Sequence, residues 1–360
     1  MPKPDRHLAS PVAALRPIAE RIKSLHAFFR RVEQATGAQP DISLPDRYHP
    51  FIMTTHEPSS NPRNAPRNDP RPILRIGHSP DPDDAFMWWP LAELDGRPAP
   101  MDTGRFRFEP VLEDIETLNR RSMEGTLEIT AMSCAQYPRV RHQYAVTACG
   151  ASMGDAYGPK LVTRSEAIID DLRQTRPTIA VPGRLTSAFA TARLMLGEFD
   201  YEERPFDAIL DDVASGRFDA GLIIHEGQLT YESHGLHQVA DLGQWWKQQT
   251  GLPLPLGVNA IRRDLDDLHG PGTLAEVTAT LKRSLEFALE HRHEALAYAL
   301  RYARGMEADL ADRFVEMYVN QWTFDFGPTG RHAVDRFLQT LSEAEIVESG
   351  EDAEFIAPAV

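Results

Sequence analysis

Residues 221–226 read Gly-Leu-Ile-Ile-His225-Glu226, an apolar run that ends in an imidazole and a carboxylate. Asp219-Ala220 leads in and Gly227 follows, the pattern of a buried strand that delivers His225 to its end. In an open α/β sheet the strand ends face the ligand crevice, and histidine changes charge near neutral pH. The run therefore offers a candidate general base at a crevice. The same pattern also suits a histidine that merely finds a partner at a strand end. Glu226 is not expected to orient His225, because successive strand residues point to opposite faces.

Two strand-to-helix turns and one serine carry further polar groups. In His78-Ser79-Pro80-Asp81-Pro82-Asp83-Asp84-Ala85-Phe86, Asp81 fits an N-cap, Pro82 fits the first helical position, and Asp83 and Asp84 suit the positive end of a helix dipole. Capping explains most of that motif, and Ser79 is equally suited to line a cleft. In Val181-Pro182-Gly183-Arg184-Leu185-Thr186-Ser187-Ala188-Phe189, Thr186 and Ser187 offer hydroxyls beside the free N–H groups of a helix start that runs on into Ala188. Such a start either holds an anion or is simply capped. Ser133 follows an apolar strand pattern and has the same two readings.

Other chemistries lack their residues. The 181–189 turn lacks the Gly-Lys-Ser/Thr ending of a Walker A loop, and no Gly-x-Ser-x-Gly elbow or His-Glu-x-x-His pair occurs. Ala85 and Phe86 stand where an EF-hand needs an oxygen ligand and a glycine. Cys134 and Cys149 are too few for a cysteine zinc site or a disulfide scaffold, although one bridge between them is conceivable. No metal and no cofactor is expected.

The elements that must position these groups alternate regularly. Strand patterns fall at 73–77, 106–112, 127–132, 144–148, 160–163, 178–181, 220–224, 236–240 and 256–261, with helical patterns between most of them. Alternation of this kind predicts an α/β fold with mainly parallel sheet. After residue 261 helices follow, and Thr273-Leu274-Ala275-Glu276 has the pattern of a capping box ahead of the stripe Leu274, Val277, Leu281, Leu285 and Ala288. Gly154 and Gly158-Pro159, and later Gly251-Leu252-Pro253-Leu254-Pro255, read as bends where the chain crosses between two lobes. The expected division is 73–164 and 251–360 in one lobe and 165–250 in the other, with the ligand between them. Residues 1–72 form an extension: Ile18, Ile22, Leu25, Phe28 and Val32 describe one amphipathic helix, and the prolines from 58 to 72 a linker.

Charge narrows the partners. Thirty-eight basic against 53 acidic residues give −15, which disfavours nucleic acid and anionic membranes and leaves a small-molecule substrate. The first 15 residues lack the apolar stretch of a secretory signal, so a cytoplasmic protein is expected.

Three segments together carry a resemblance: Glu-Pro-Val-Leu-Glu-Asp-Ile-Glu-Thr-Leu-Asn at 109–119, Val181-Pro-Gly-Arg with Thr186, and Gly221-Leu-Ile-Ile-His225-Glu226. Val239-Ala-Asp-Leu-Gly-Gln-Trp245-Trp246 and Thr250-Gly-Leu-Pro-Leu-Pro-Leu-Gly257 extend it over about residues 73–345. The chain resembles the 1,4-dihydroxy-6-naphthoate synthases of the futalosine route to menaquinone. The resemblance implies a type II periplasmic-binding-protein-like fold of two lobes. It also implies a lyase acting on cyclic dehypoxanthinyl futalosine, with His225 as base and Ser79, Ser133, Thr186, Ser187 and Ala188 around the substrate. The chain departs from the family pattern Ser-Pro-Cys-Pro-Asn-Asp-Thr-Phe in having Asp81, Asp83 and Ala85, so carboxylates stand at a wall of the cleft. Two other functions suit the same fold: a non-catalytic protein that binds small carboxylates, and another futalosine-pathway enzyme such as a chorismate dehydratase.

Overall fold

The computed structural model describes residues 69–94, 96–303 and 307–359. The amphipathic helix expected over 18–32 lies outside the described residues. Twelve strands are described: β1 (Ile73–His78), β2 (Arg107–Leu112), β3 (Ile129–Ser133), β4 (Tyr144–Thr147), β5 (Ser152–Gly154), β6 (Lys160–Thr163), β7 (Ile179–Val181), β8 (Tyr201–Glu203), β9 (Ala220–Ile223), β10 (His237–Asp241), β11 (Leu254–Arg262) and β12 (Phe355–Ile356). They form two sheets. The first runs β12-β4-β11-β3-β1-β2 with β5 also on β11, and the second runs β10-β6-β9-β7-β8.

Both sheets are mixed, where the alternation predicts mainly parallel pairing. β1 is parallel to β2 and β3, and β7 to β8 and β9, as βαβ units require. β6 and β11 run the other way. Each is the strand by which the chain enters a sheet from the other, so it starts where its neighbours end: Lys160 lies opposite Ile223 and Gly257 opposite Ser133. For the same reason β6, expected to close the first lobe, belongs to the second sheet. The C-terminal β12, which the sequence pattern does not suggest, adds parallel to β4.

The two crossings lie against each other, Gly154 of the first pairing antiparallel with Leu254 of the second, and nearby Leu242 N donates to Pro159 O at 2.9 Å. A Cβ on Gly154 or on Gly243 would come within 1.9 Å of the Tyr157 carbonyl oxygen. Close backbone approach is therefore what requires glycine there.

Five helices carry or support the cleft: α1 (Pro82–Trp88), α2 (Ile115–Glu124), α3 (Ser187–Leu196), α4 (Thr273–Glu290) and α5 (Ala308–Tyr318). Val277, Leu281, Leu285 and Ala288 of α4 pack in one buried cluster with Phe86, Met87 and Trp88 of α1, and Ser284 Oγ donates to Met87 O at 2.7 Å. The capping box does not form. Gly272 takes the N-cap position at φ +89°, Thr273 Oγ1 donates to Gly270 O, and Glu276 pairs with Arg105 at 2.8 Å. A tight glycine turn places the helix start one residue ahead of the box. Trp88 and Trp246 are core residues, each 1% exposed. Cys134 and Cys149 are both buried and free. No described helix is long and apolar enough to cross a membrane.

Candidate active site

The first wall is the turn between β1 and α1. Asp81 has the extended backbone of an N-cap, φ −107° and ψ 153°, and Pro82 follows in the first turn, yet the Asp81 side chain makes no cap hydrogen bond. Its Oδ2 accepts instead from Ser79 Oγ at 2.6 Å. Asp84 Oδ2 reaches back and accepts from Ser79 N at 2.9 Å. Burial, with Asp81 nearby, raises the Asp84 carboxyl to about 7, and burial beside two acidic neighbours pushes Asp83 well above the usual carboxylate range. The negative charge expected at this wall is thus partly neutralised by protons.

Ser133, at the end of β3, is held from α2. The buried Asn119 accepts from Ser133 N at 2.8 Å through Oδ1, and its Nδ2 donates to Ser133 Oγ at 3.0 Å. The 109–119 segment is therefore structural support: Asp114 caps α2 through the N–H groups of Glu116 and Thr117, and Asn119 fixes the serine. On the second sheet, Thr186 caps α3. Its Oγ1 accepts from Phe189 N at 3.1 Å and donates to Gly183 O at 2.8 Å. Ser187 Oγ donates to Leu256 O at 2.6 Å and accepts from Ala135 N at 3.1 Å, which ties α3 to the first sheet. Both hydroxyls are committed within the protein. At such a helix start the first backbone N–H groups, here those of Ser187 and Ala188, lack intrahelical partners and suit an anionic or hydroxyl-rich ligand.

His225 forms the floor. β9 ends at Ile223, and His225 takes the left-handed conformation at φ +53°, uncommon outside glycine and frequent at functional turns. Glu226 begins the short helical segment Gly227–Thr230. Strand alternation stops before His225, so the two side chains share a side: His225, Glu226 and Asp81 bring ligand atoms within 4.8 Å of one another. Phe206 covers the imidazole at a centroid distance of 3.9 Å. His225 Nδ1 lies 3.2 Å from Asp81 Oδ2, while Nε2 is buried without a hydrogen-bond partner. Ser79, Ser133, Thr186, Ser187, Ala188 and His225 all border one cleft.

A family described as menaquinone biosynthesis matches residues 74–343. The chain belongs to it. A 1,4-dihydroxy-6-naphthoate synthase of Thermus thermophilus is 41% identical over 276 residues, which cover 76% of this chain and 94% of that protein. A crystal structure of an Archaeoglobus fulgidus protein is 40% identical, covers 76% of this chain and 97% of its own, and superposes with a TM-score of 0.68. A Candida albicans protein described as having the generic periplasmic binding protein fold covers 78% of this chain and 92% of its own at a TM-score of 0.57 and 12% identity, which bears on the fold alone. The periplasmic-binding-protein-like architecture follows from these likenesses and from the two mixed sheets.

The menaquinone-family cleft also contains residues that the sequence reading passes over. Asn259, on β11, is buried, donates from Nδ2 to Gly150 O at 2.7 Å and has an Oδ1 without a partner. Gln228 is buried one helical turn past His225 and accepts from Tyr318 OH at 2.8 Å through Oε1. An asparagine inside the apolar strand 254–262 is a visible signal, because a buried amide needs partners. Tyr318 comes from α5 and has no such local signal. The Asp81, His225 and Glu226 atoms also suit a divalent cation, which would compete with any use of His225 as a base.

Proposed function

We propose that this protein is a 1,4-dihydroxy-6-naphthoate synthase, a lyase that converts cyclic dehypoxanthinyl futalosine into 1,4-dihydroxy-6-naphthoate and a sugar-derived fragment. The observation that carries the reading is His225, which borders the cleft of a chain from this family and whose buried Nε2 has no hydrogen-bond partner. His225 takes a proton from a substrate carbon, a carbon–carbon bond then breaks, and formation of the aromatic ring drives the step. The protein contributes a base, orientation and a cleft poor in water. The backbone N–H groups that open α3, together with Ser133 and Asn259, hold the substrate's polar groups.

The test is incubation of the purified protein with cyclic dehypoxanthinyl futalosine, following naphthoate by absorbance. His225→Asn should keep the fold and ligand binding but lower kcat by about a hundredfold or more, the scale of general base catalysis. Turnover close to normal in that variant removes His225 from the chemistry. Binding without turnover in the parent protein would make it a binding protein of the same fold.

A further inference from the structure

The two nitrogens of His225 have different surroundings. Nδ1 meets Asp81 Oδ2 at 3.2 Å, and Nε2 is buried without a hydrogen-bond partner on a residue that borders the cleft. The contact spans 144 residues of chain and joins the floor on the second sheet to the helix start on the first. Both side chains are nearly buried, His225 8% and Asp81 13% exposed. Asp81 occupies the N-cap position of α1 with suitable backbone angles, so its carboxylate would ordinarily accept from the first-turn N–H groups. It turns to the imidazole instead. Ser79 Oγ donates to the same Oδ2 at 2.6 Å and holds it in place.

We propose that Asp81 is a positioning residue for His225. It accepts the Nδ1–H, fixes the tautomer whose lone pair is on Nε2, and stabilises the imidazolium once the base is loaded. This rests on the reading of His225 as the base. In the step, the proton of a substrate C–H bond passes to Nε2 and the bonding pair stays on the substrate carbon. The Nδ1–H remains on Nδ1, and Asp81 stays a carboxylate throughout. Among the carboxylates, Asp81 from the α1 start and Glu226 on the histidine's own turn bring oxygen atoms within 4.8 Å of the imidazole's ligand atom. Phe206 covers a ring face and carries no charge.

The experiment combines turnover with nitrogen-15 NMR of the histidines in the full-length protein. In the parent, neutral His225 should show a protonated Nδ1 and an unprotonated Nε2. In Asp81→Asn, kcat should fall about tenfold or more with KM within about twofold, the usual effect of losing an orienting partner. The amide introduced by Asp81→Asn can donate to Nδ1, so the Nε2–H tautomer of neutral His225 should also gain population in that variant. Asp81→Glu, which keeps the carboxylate, should restore part of the Nδ1–H population. A parent protein with the proton on Nε2, which needs no variant to detect, overturns the proposal. So does an unchanged tautomer population in Asp81→Asn. If the NMR results hold while no naphthoate forms, the pairing stands and the proposed reaction fails.

Discussion

Glu116, in the first turn of α2, accepts a hydrogen bond from the backbone N–H of Leu185 at 3.0 Å. The bond joins a helix of the first sheet to the turn that begins α3 on the second. Arg120, one helical turn further on, pairs with Glu116 at 2.9 Å and with Glu203 at 2.7 Å, so the same helix face clasps β8 as well. A Cβ on Gly183, which sits at φ +152°, would come within 2.3 Å of the Glu116 carboxylate. The clasp is thus closely fitted, and it lies beside the helix start that borders the cleft.

Glu116→Ala should leave the Leu185 N–H without its partner and cost about 1–3 kcal/mol of stability, with a higher KM because the α3 start is less firmly placed. Glu116→Gln keeps an acceptor and should cost less. Burial raises the Glu116 carboxyl above its ordinary range, so the amide also relieves the burial of a charge. Thermal unfolding with and without substrate checks both variants. Equal melting of Glu116→Ala and the parent would show that the clasp contributes nothing.

Asn259→Ala should raise KM roughly two- to tenfold, the range for one lost hydrogen bond of about 0.5–1.5 kcal/mol. The reason is the unpartnered Oδ1, a buried acceptor that a ligand donor would satisfy. Stability should fall as well, because the Nδ2 bond to Gly150 O disappears. An unchanged KM alongside reduced stability would make Asn259 a purely internal strut.

Asp84 gives stability a pH dependence whose sign is fixed. In the unfolded chain its carboxyl releases a proton near 3.8, and in the fold burial holds the proton until about 7. Below 3.8 both states are protonated and the group's contribution is fully present. Between 3.8 and 7 the unfolded chain binds fewer protons, so this contribution declines as pH rises and is gone above about 7. Asp84→Asn keeps an acceptor for Ser79 N and removes the decline. The variant should therefore gain about 3–4 kcal/mol relative to the parent between pH 4 and pH 8. Urea unfolding at the two pH values measures it, and an equal difference at both would refute the assignment.

Much of the scaffold was legible in the chain, because each signal is local. The α4 stripe, the strand patterns and the glycine–proline bends at both crossings are set by side chains within a few residues of one another, and period and turn chemistry reveal them. The hydroxyls of Ser79, Ser133, Thr186 and Ser187 follow or open regular elements for the same reason, and the cleft borders all of them. What the sequence could not determine is which partners those groups take. Asp81 reads as a cap and contacts His225 instead, 144 positions away. Glu226 reads as facing away and lies beside His225, since a left-handed residue ends the strand's alternation before it matters. The reversed β6 and β11 depend on where the chain enters each sheet. Local spacing sets the elements and supplies the polar groups. Only their assembly decides which carboxylate faces the imidazole, because that contact joins the ends of two elements that share no local pattern.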